Sequence, residues 1–244
     1  MDDSQLERYS RQLLMNEVDL DGQDRLAHST VMIVGVGGLG NIALSALAGA
    51  GVGTIRIWDG DEVELSNLPR QPLYNSNDVG TAKTVAAKAH IEQMNPNVIV
   101  HTHPRLDDPE QAMTVANACD LILDCCDNVE TRKIVNQVAV KSATPLIAGA
   151  AIRFEGQLMT FLNQGGPCYE CLATQMPIKD VACRDVGILN TQVLMIGTLQ
   201  AHVAIKHIIG VQSLIDGQLL MMDGKRDQFQ SFTVAKSASC QACG

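Results

Sequence analysis

The sequence lacks the long apolar run and the basic N-terminus that are typical of membrane and secreted proteins. No stretch reaches the roughly 18 consecutive apolar residues of a transmembrane helix, and the first ten residues, MDDSQLERYS, are acidic and polar. A secretory signal begins instead with a positively charged segment and continues with an apolar one. We therefore expect neither a signal peptide nor a spanning helix, and we expect a cytoplasmic location.

Positive charge is also scarce. The chain carries 18 Lys and Arg against 27 Asp and Glu, which gives a formal net charge of −9 and a pI near 5.0. Nucleic acids and anionic membranes attract basic surfaces, so this balance argues against both as main partners. No internal repeat or low-complexity segment is visible.

The residues that are present can form a large core. The 244 residues are 46% apolar, which suffices for one large α/β domain or two small ones. The chain has eight cysteines, and the reducing environment of the cytoplasm disfavours disulfides. We expect the cysteines to be reduced, metal-bound or reactive.

The stretch from Val31 to Gly40, VMIVGVGGLG, organises the chain. An apolar, β-branched run opens into a glycine-rich turn, and the helical pattern NIALSALAGAG follows at once. The spacing of Gly35, Gly37 and Gly40 is the G-x-G-x-x-G pattern of nucleotide-binding turns, in which phosphate lies at the positive end of a helix. The motif predicts phosphate binding, although a purely structural glycine turn has the same pattern.

Strand and helix patterns alternate as far as PLIAGA (145–150). This alternation predicts an α/β fold with a doubly wound, mainly parallel, Rossmann-like sheet. We expect a single domain built from N-terminal helices (1–29), a nucleotide-binding unit (30–150) and an extension (151–244). Outside the extension we expect helices over 4–15, capped by Asp3 or Ser4, and over 22–28, 41–50, 79–94, 108–118 and 128–142.

In the extension, strands and helices no longer alternate regularly. IRFEGQLMTFL predicts a hairpin around Glu155 and Gly156, followed by a polar stretch (164–190) and one long apolar helix over about 190–209. Two short strands, LLMMD and FQSFTV, precede a cysteine-bearing tail. Because it has too little apolar sequence for a core of its own, we expect the extension to pack on the main domain.

Three charged residues indicate which nucleotide binds. Asp59 ends the second strand, where an acid accepts hydrogen bonds from ribose hydroxyls in NAD and ATP enzymes alike. Arg70 and Lys83 follow it and could neutralise a triphosphate. Each of the three could also be an ordinary surface charge.

The segment Asp124 to Asn128, DCCDN, ends the fourth strand. Ligands bind at the carboxyl edge of parallel sheets, so its carboxylates suit Mg²⁺. Alternatively, Asp127 only caps the helix that follows. We interpret Cys125 and Cys126 as small core residues.

Two C-x₂-C pairs lie far apart in the sequence. Cys168, Cys171, Cys240 and Cys243 could form a closed, structural zinc site. A redox dithiol or unpaired thiols are the alternatives. Cys183 belongs to neither pair and stands beside Arg184, which would lower the pKa of its thiol, so it is a candidate nucleophile or an incidental thiol.

Taken together, the motifs resemble those of the MoeB/ThiF family, the bacterial relatives of ubiquitin-activating E1 enzymes. The resemblance covers nearly the whole chain, in the order RYSRQ (8–12), GVGGLG (35–40), WDGDEVELSNLPRQ (58–71), Gly80-x-x-Lys83, DCCDN (124–128), GAAIRFEGQ (149–157), PCYEC (167–171) and the terminal C-x₂-C. It implies ATP-dependent adenylation of the C-terminal glycine carboxylate of a small ubiquitin-like sulfur carrier, of the kind used in molybdopterin or thiamine biosynthesis. It also implies a homodimer, Mg²⁺ and a structural zinc.

The resemblance assigns roles to individual residues. The turn glycines, Gly38 included, and Asp59 would bind the nucleotide, while Asn67, Arg70 and Lys83 would contact its phosphates. Asp127 would hold the metal, and Arg11 would reach the site of the partner subunit. Cys183 matches a loop cysteine that some members use covalently.

The sequence departs from the family pattern after that cysteine. Relatives commonly have C-x-E-A-G-V-x-A-P there, whereas this chain has CRDVGILNT (183–191). This difference puts a covalent role for Cys183 in doubt. An NAD-dependent oxidoreductase and a non-catalytic, carrier-binding scaffold are the alternative functions.

Overall fold

The structure is a computed structural model that describes residues 1–175, 186–211 and 214–244. Its centre is an eight-stranded sheet in the order β3-β2-β1-β4-β5-β6-β7-β8 within these ranges. The first five strands in chain order are parallel: β1 (Thr30–Val34), β2 (Thr54–Trp58), β3 (Ile99–His103), β4 (Leu121–Asp124) and β5 (Leu146–Ile152). The last three strands add antiparallel pairs: β6 (Glu155–Phe161), β7 (Gln218–Asp223) and β8 (Gln228–Thr233).

Helices cover both faces of the sheet. The described α-helices, in chain order, are α1 (Asp3–Arg8), α2 (Ser10–Leu13), α3 (Asp19–His28), α4 (Gly38–Ala50), α5 (Lys83–Met94), α6 (Pro109–Ala116), α7 (Val129–Ser142), α8 (Tyr169–Gln175) and α9 (Asn190–Ile209), and two short 3₁₀ helices, Leu65–Arg70 and Ser76–Asp78, lie between β2 and α5. The apolar side chains of α4, α5 and α9 pack on one face, and those of α6, α7 and α8 pack on the other. The expected doubly wound, mainly parallel α/β fold is confirmed.

The order of the strands determines where a site can lie. Strand β1 has β2 on one side and β4 on the other, so the chain reverses direction across the sheet at β1. The loops that follow β1, β2 and β4 therefore meet at the carboxyl edge of the sheet. This is the position where doubly wound folds bind their ligands.

The N-terminal helix differs from the one predicted over 4–15. Asp2, and not Asp3 or Ser4, caps the first turn, and the helix is broken at Tyr9 into α1 and α2. The side chain of Tyr9 is buried, and its hydroxyl accepts a hydrogen bond of 2.9 Å from Nδ2 of Asn95. This tertiary contact interrupts the helical pattern.

Two other predicted ranges begin too early or too late. Helix α3 starts at Asp19 instead of residue 22, and α5 starts at Lys83 instead of residue 79. The second shift has a local cause, because Gly80 has φ +85° and its left-handed conformation cannot continue a helix.

The hairpin predicted around Glu155 and Gly156 turns two residues earlier. Strand β5 continues to Ile152, the turn is Arg153 and Phe154, and Glu155 already pairs with Ile152 as the first residue of β6. The turn contains Arg153 at φ 52°, a conformation that the sequence pattern did not indicate. The polar stretch that follows contains α8, whereas the long helix is α9, as predicted.

None of the helices in the described part of the chain is long and apolar enough to cross a membrane.

Candidate active site

A cavity of about 620 Å³ opens at the carboxyl edge of the sheet. Its walls come from the loops after β1, β2, β3 and β4 and from the strands β5 and β6. Most of the residues that the sequence predicts to bind the nucleotide line it: Gly35, Gly37, Gly38, Asp59, Asn67, Arg70, Lys83 and Asp127. The fold thus brings together segments that lie up to 92 residues apart, from Gly35 to Asp127.

The glycine turn brings backbone close to backbone. Gly35 has φ +89° and its amide donates a hydrogen bond of 2.8 Å to the carbonyl of Trp58. A Cβ at Gly40 would collide with the carbonyl oxygen of Gly35, so only glycine fits at this position. Gly40 packs against the turn and is not among the described residues that line the cavity. Helix α4 begins within this turn, at Gly38, and the amides of a first helical turn have no partner within the helix. The positive end of α4 therefore faces the cavity and suits an anion.

Asp59 is anchored beside this turn. Its Oδ2 accepts a hydrogen bond of 2.8 Å from the amide of Val36, and its Oδ1 accepts one of 2.8 Å from the amide of Asp61. Burial raises the pKa of the Asp59 carboxyl, while the positive charge of Lys83 opposes that rise. The two backbone bonds fix the orientation of the carboxylate at the end of β2.

Lys83 is a buried cation on the cavity wall. Only 8% of its side chain is exposed, and its Nζ lies 2.8 Å from Oδ2 of Asp61. The hydrogen bond from Lys83 holds the pKa of the Asp61 carboxyl below its usual value. Arg70 is half-buried, and its Nη1 donates a hydrogen bond of 2.9 Å to the carbonyl of Ser66. Both cations border the same cavity.

The two carboxylates after β4 have different environments. Asp124 is buried, and its Oδ2 lies 3.2 Å from Nη1 of Arg132. Asp127 is exposed and lines the cavity. The alternative that Asp127 caps α7 is wrong, because Asn128 is the N-cap residue and its Oδ1 accepts from the amide of Thr131 at 2.9 Å. The carboxylate of Asp127 is therefore available to a cation such as Mg²⁺, which prefers carboxylate and phosphate oxygens.

Cys125 and Cys126 are buried, in agreement with their interpretation as core residues. Burial raises the pKa of both thiols, which keeps them uncharged and makes them poor nucleophiles. Cys183, the candidate nucleophile, lies outside the described residues.

The four cysteines of the C-x₂-C pairs converge on the face opposite α4. Their sulfur atoms all lie within 4.8 Å of one another, with 3.7 Å between Cys168 and Cys240 and 3.5 Å between Cys171 and Cys243. Ligands of a tetrahedral Zn²⁺ at 2.3 Å are about 3.8 Å apart, so the cluster fits zinc. Among the described residues no cysteine forms a disulfide, which leaves the thiols free for a metal.

The cluster also has outer partners that suit a metal centre. The amide of Ser237 donates to Sγ of Cys171 at 3.4 Å, and Nδ2 of Asn136 donates to Sγ of Cys168 at 3.5 Å. Such bonds orient metal ligands and stabilise thiolate charge.

Arg11 stands apart from this arrangement. It lies on α2, is exposed, and is not among the described residues that line the cavity.

Comparison with known proteins decides the family. A family model described as the ThiF family matches residues 9–242. The chain belongs to the ThiF family. The predicted resemblance is therefore confirmed.

Two ThiF-family relatives from Escherichia coli K12 match the whole chain. One, named molybdopterin-synthase adenylyltransferase, is 39% identical over 246 residues, and the chain covers 98% of it. The other, named sulfur carrier protein ThiS adenylyltransferase, is 40% identical over 248 residues, and the chain covers 97% of it. Other relatives are longer: the chain spans 56% of the length of the protein from Culex quinquefasciatus named adenylyltransferase and sulfurtransferase MOCS3, to which it is 38% identical.

Solved structures have the same fold. The crystal structure of Escherichia coli MccB with ATP superposes with a TM-score of 0.83 at 25% identity, covering 97% of this chain and 74% of MccB. The structure of PaaA superposes with a TM-score of 0.80 at 25% identity, covering 97% of this chain and 76% of PaaA.

Sequence reasoning missed Arg132, Asp61 and Arg105, which also line the cavity. Arg132 is buried and donates hydrogen bonds to the carbonyls of Cys126 and of Gly149, the latter at 2.6 Å. It thereby ties the loop that carries Asp127 to β5. The position of Arg132 in the first turns of the helix after DCCDN was the available signal, but its partner on β5 is visible only in three dimensions.

Proposed function

We propose that the chain catalyses the ATP-dependent adenylation of the C-terminal glycine carboxylate of a ubiquitin-like sulfur carrier protein, with release of pyrophosphate. Two relatives that match the whole chain are named as adenylyltransferases, one of molybdopterin synthase and one of the sulfur carrier protein ThiS. The reaction is a nucleotidyl transfer, and we place it in the cytoplasm.

One observation carries the proposal. One cavity is bordered by groups that suit a nucleotide and its metal ion. These groups are the N-terminus of α4, Asp59 at the end of β2, the cations Arg70 and Lys83, and the carboxylate of Asp127. The same cavity continues along β5 and β6, past Ala150 and Gln157. It therefore has room for a nucleotide at one end and an extended peptide terminus at the other.

The nucleotide is assigned by matching charges. Asp59 would accept hydrogen bonds from the ribose hydroxyls, as acids at this position do in related folds. The amides at the start of α4 would bind phosphate oxygens. Asn67, Arg70 and Lys83 would contact the remaining phosphates. ATP is bound by MccB, a protein of the same fold.

Asp127 would hold Mg²⁺ beside the phosphates. When bound, this ion would supply positive charge that offsets the charge of the triphosphate. The buried Asp124 is already neutralised by Arg132 and is not available for this role.

The chemical step needs no general base, since the carrier's carboxylate is already ionised. One of its oxygens attacks the α-phosphorus of ATP, a bond from that phosphorus to the bridging oxygen breaks, and the electron pair leaves with pyrophosphate. The products are a carboxylic–phosphoric anhydride, the acyl adenylate, and pyrophosphate. Lys83 and Arg70 stabilise the charge that develops on the leaving group, and the cavity aligns the two reactants.

The carrier would bind through the extension (151–244), which we treat with residues 1–29 and 30–150 as one domain. Strands β5 and β6 line the cavity. We expect the C-terminal Gly-Gly of the carrier to lie along these strands, since two glycines have no side chains and need little space. Arg11 would act from the partner subunit of a homodimer, which agrees with its absence from the described lining of the cavity in its own chain.

The zinc site would act as a structural clip. Cys168 and Cys171 flank the start of α8, whereas Cys240 and Cys243 lie in the terminal tail. A Zn²⁺ bound to all four would have no free coordination position for water or substrate, so we assign it no catalytic step.

The two alternative functions have less support. An NAD-dependent oxidoreductase would not need two cations at the cavity wall, and the relatives are named as adenylyltransferases. A non-catalytic scaffold would not need to retain Arg70, Lys83 and Asp127 at one cavity. Cys183 remains a candidate for a later covalent step.

The experiment is incubation of the protein with ATP, Mg²⁺ and a purified carrier, followed by mass spectrometry of the carrier. Carriers of the molybdopterin and thiamine pathways are tested separately, each with a control that lacks its last glycine. The proposal predicts a carrier heavier by one adenylyl group with at least one intact carrier. No adduct with either carrier, although the protein binds ATP, would contradict it.

A further inference from the structure

Arg105 is a cation of the cavity that the proposed chemistry does not use. It follows β3, the strand beyond β2, and lines the cavity together with the buried Leu106. Its side chain is 68% exposed, and its Nη2 lies 3.6 Å from Oδ1 of Asp61. The guanidinium is therefore held at the cavity edge by a carboxylate and remains accessible to a ligand.

The absence of a side chain at Gly60 creates the space for Arg105. A Cβ at Gly60 would lie 2.6 Å from Cβ of Arg105 and 3.0 Å from its Nε. The arginine thus packs directly on the backbone that follows Asp59. Arg105 therefore lies next to Asp59, the residue proposed to bind the ribose.

Asp61 separates Arg105 from the proposed phosphate site. Its Oδ2 faces Lys83 at 2.8 Å, and its Oδ1 faces Arg105 at 3.6 Å. A phosphate drawn toward Arg105 would approach the negative charge of Asp61. Lys83 contacts the same carboxylate, so the position of Arg105 in the sheet decides: Arg105 follows β3, two strands away from β1 and the start of α4, and is better placed for an uncharged, flat ligand group than for a phosphate.

The strand order shows which group that is. Phosphates at α4 follow β1, the ribose at Asp59 follows β2, and the next strand outward is β3. We propose that Arg105 recognises the purine base of the nucleotide, with its guanidinium plane stacked on one face of the base and Leu106 in apolar contact with its edge. The planar, delocalised guanidinium is suited to stacking on aromatic rings. This assignment rests on the proposed binding of ATP.

The test compares ligands with and without a base. Calorimetry of wild-type protein and Arg105→Ala is carried out with ATP, AMP and tripolyphosphate. Exposed cation–π contacts correspond to about a two- to fivefold change in affinity. We expect Arg105→Ala to bind ATP and AMP more weakly by that factor and to bind tripolyphosphate as well as the wild type does.

Arg226→Ala is the matched control. Arg226 is also an exposed arginine paired with an aspartate, but it lies in the turn after β7. The affinity of Arg226→Ala for ATP should equal that of the wild type.

A second variant links the effect to the packing on Gly60. Gly60→Ala should displace Arg105 and weaken ATP binding to a similar extent, and it should add nothing in an Arg105→Gly background, which lacks the Cβ that the new methyl group would meet. This non-additivity would not arise if either substitution acted only on the fold.

Two results would overturn the assignment. The first is equal ATP affinity of Arg105→Ala and the wild type. The second is a loss for tripolyphosphate as large as that for ATP, which would make Arg105 a phosphate contact. Carrier-dependent pyrophosphate exchange is measured in the same wild-type preparation. ATP binding without exchange would contradict the proposed function but, together with the expected base-dependent loss, would still support the role of Arg105.

Discussion

Nζ of Lys83 lies 2.8 Å from Oδ2 of Asp61, and the lysine is almost completely buried while the aspartate is 55% exposed. A buried ammonium requires a counter-charge, and Asp61 supplies it when no nucleotide is present. The amide of Lys83 also donates to the carbonyl of Asp61 at 2.9 Å. The first residue of α5 is thus fixed at both its backbone and its side chain, which presents its charge to the cavity.

The first prediction is that Lys83→Met lowers kcat/KM for adenylation by about 10²- to 10³-fold, the usual cost of removing one charge-stabilising donor from an active site. Steady-state pyrophosphate release measures it. Lys88→Met is the control: Lys88 lies on the same helix, pairs with Glu92 at 3.7 Å and is absent from the described cavity lining. An equal loss in the two variants would show that Lys83 acts only through α5.

The second prediction separates the two carboxylates after β4. Asp127→Asn should lose adenylation while the free energy of unfolding changes by no more than about 0.5 kcal/mol, because Asp127 is exposed. Asp124→Asn should destabilise the protein by about 3 kcal/mol, since it leaves the buried charge of Arg132 without its partner. Urea unfolding and pyrophosphate exchange give both readings. Near wild-type exchange by Asp127→Asn would reject the proposed metal role.

The third prediction concerns zinc. Protein purified without chelator should contain one zinc per chain, and its removal should lower the thermal unfolding temperature. Cys171→Ser should have the same effect on stability and little effect on ATP affinity, because the cluster lies on the opposite face of the sheet from α4. Elemental analysis and thermal unfolding are the measurements. Absence of zinc from the purified protein would disprove the site.

The fourth prediction is that each active site is completed by Arg11 of the partner subunit. Arg11→Ala and Asp127→Ala should each be inactive. After subunit exchange, half of the dimers are mixed and each mixed dimer has one intact site of two, so roughly one quarter of wild-type activity should return. If the mixture stays inactive although mass spectrometry verifies subunit exchange, Arg11 acts within its own chain, since every site then carries one of the two substitutions.

The nucleotide-binding half of the fold was predictable because its signals are local. The strand, turn and helix around Gly35 to Gly40 are encoded within twenty residues, and the alternation of strands and helices determines a parallel sheet. The long α9 was found for the same reason, from one uninterrupted apolar pattern. The break at Tyr9 was not predictable, since it depends on the contact with Asn95, which lies 86 residues away.

The candidate site was predictable in its parts and not in its connections. Lys83 and Asp127 stand in recognisable motifs, and the structure brings them to one cavity. No sequence pattern indicates the ion pair of Lys83 with Asp61. The same is true of the hydrogen bond by which Arg132 joins the DCCDN loop to Gly149, because both contacts depend on the tertiary structure. The sequence also did not decide whether Asp127 or Asn128 caps α7. The structure decides it, because the amide of Thr131 donates its hydrogen bond to the side chain of Asn128.

The central proposal is that this cavity transfers the adenylyl group of ATP to the terminal carboxylate of a carrier protein. Its most direct test is the incorporation of radiolabelled pyrophosphate into ATP, measured with a carrier that ends in Gly-Gly and with the same carrier lacking its final glycine. We expect label in ATP only with the intact carrier, and none when Asp127→Asn replaces the wild-type enzyme. Equal incorporation with the intact and the shortened carrier would contradict it.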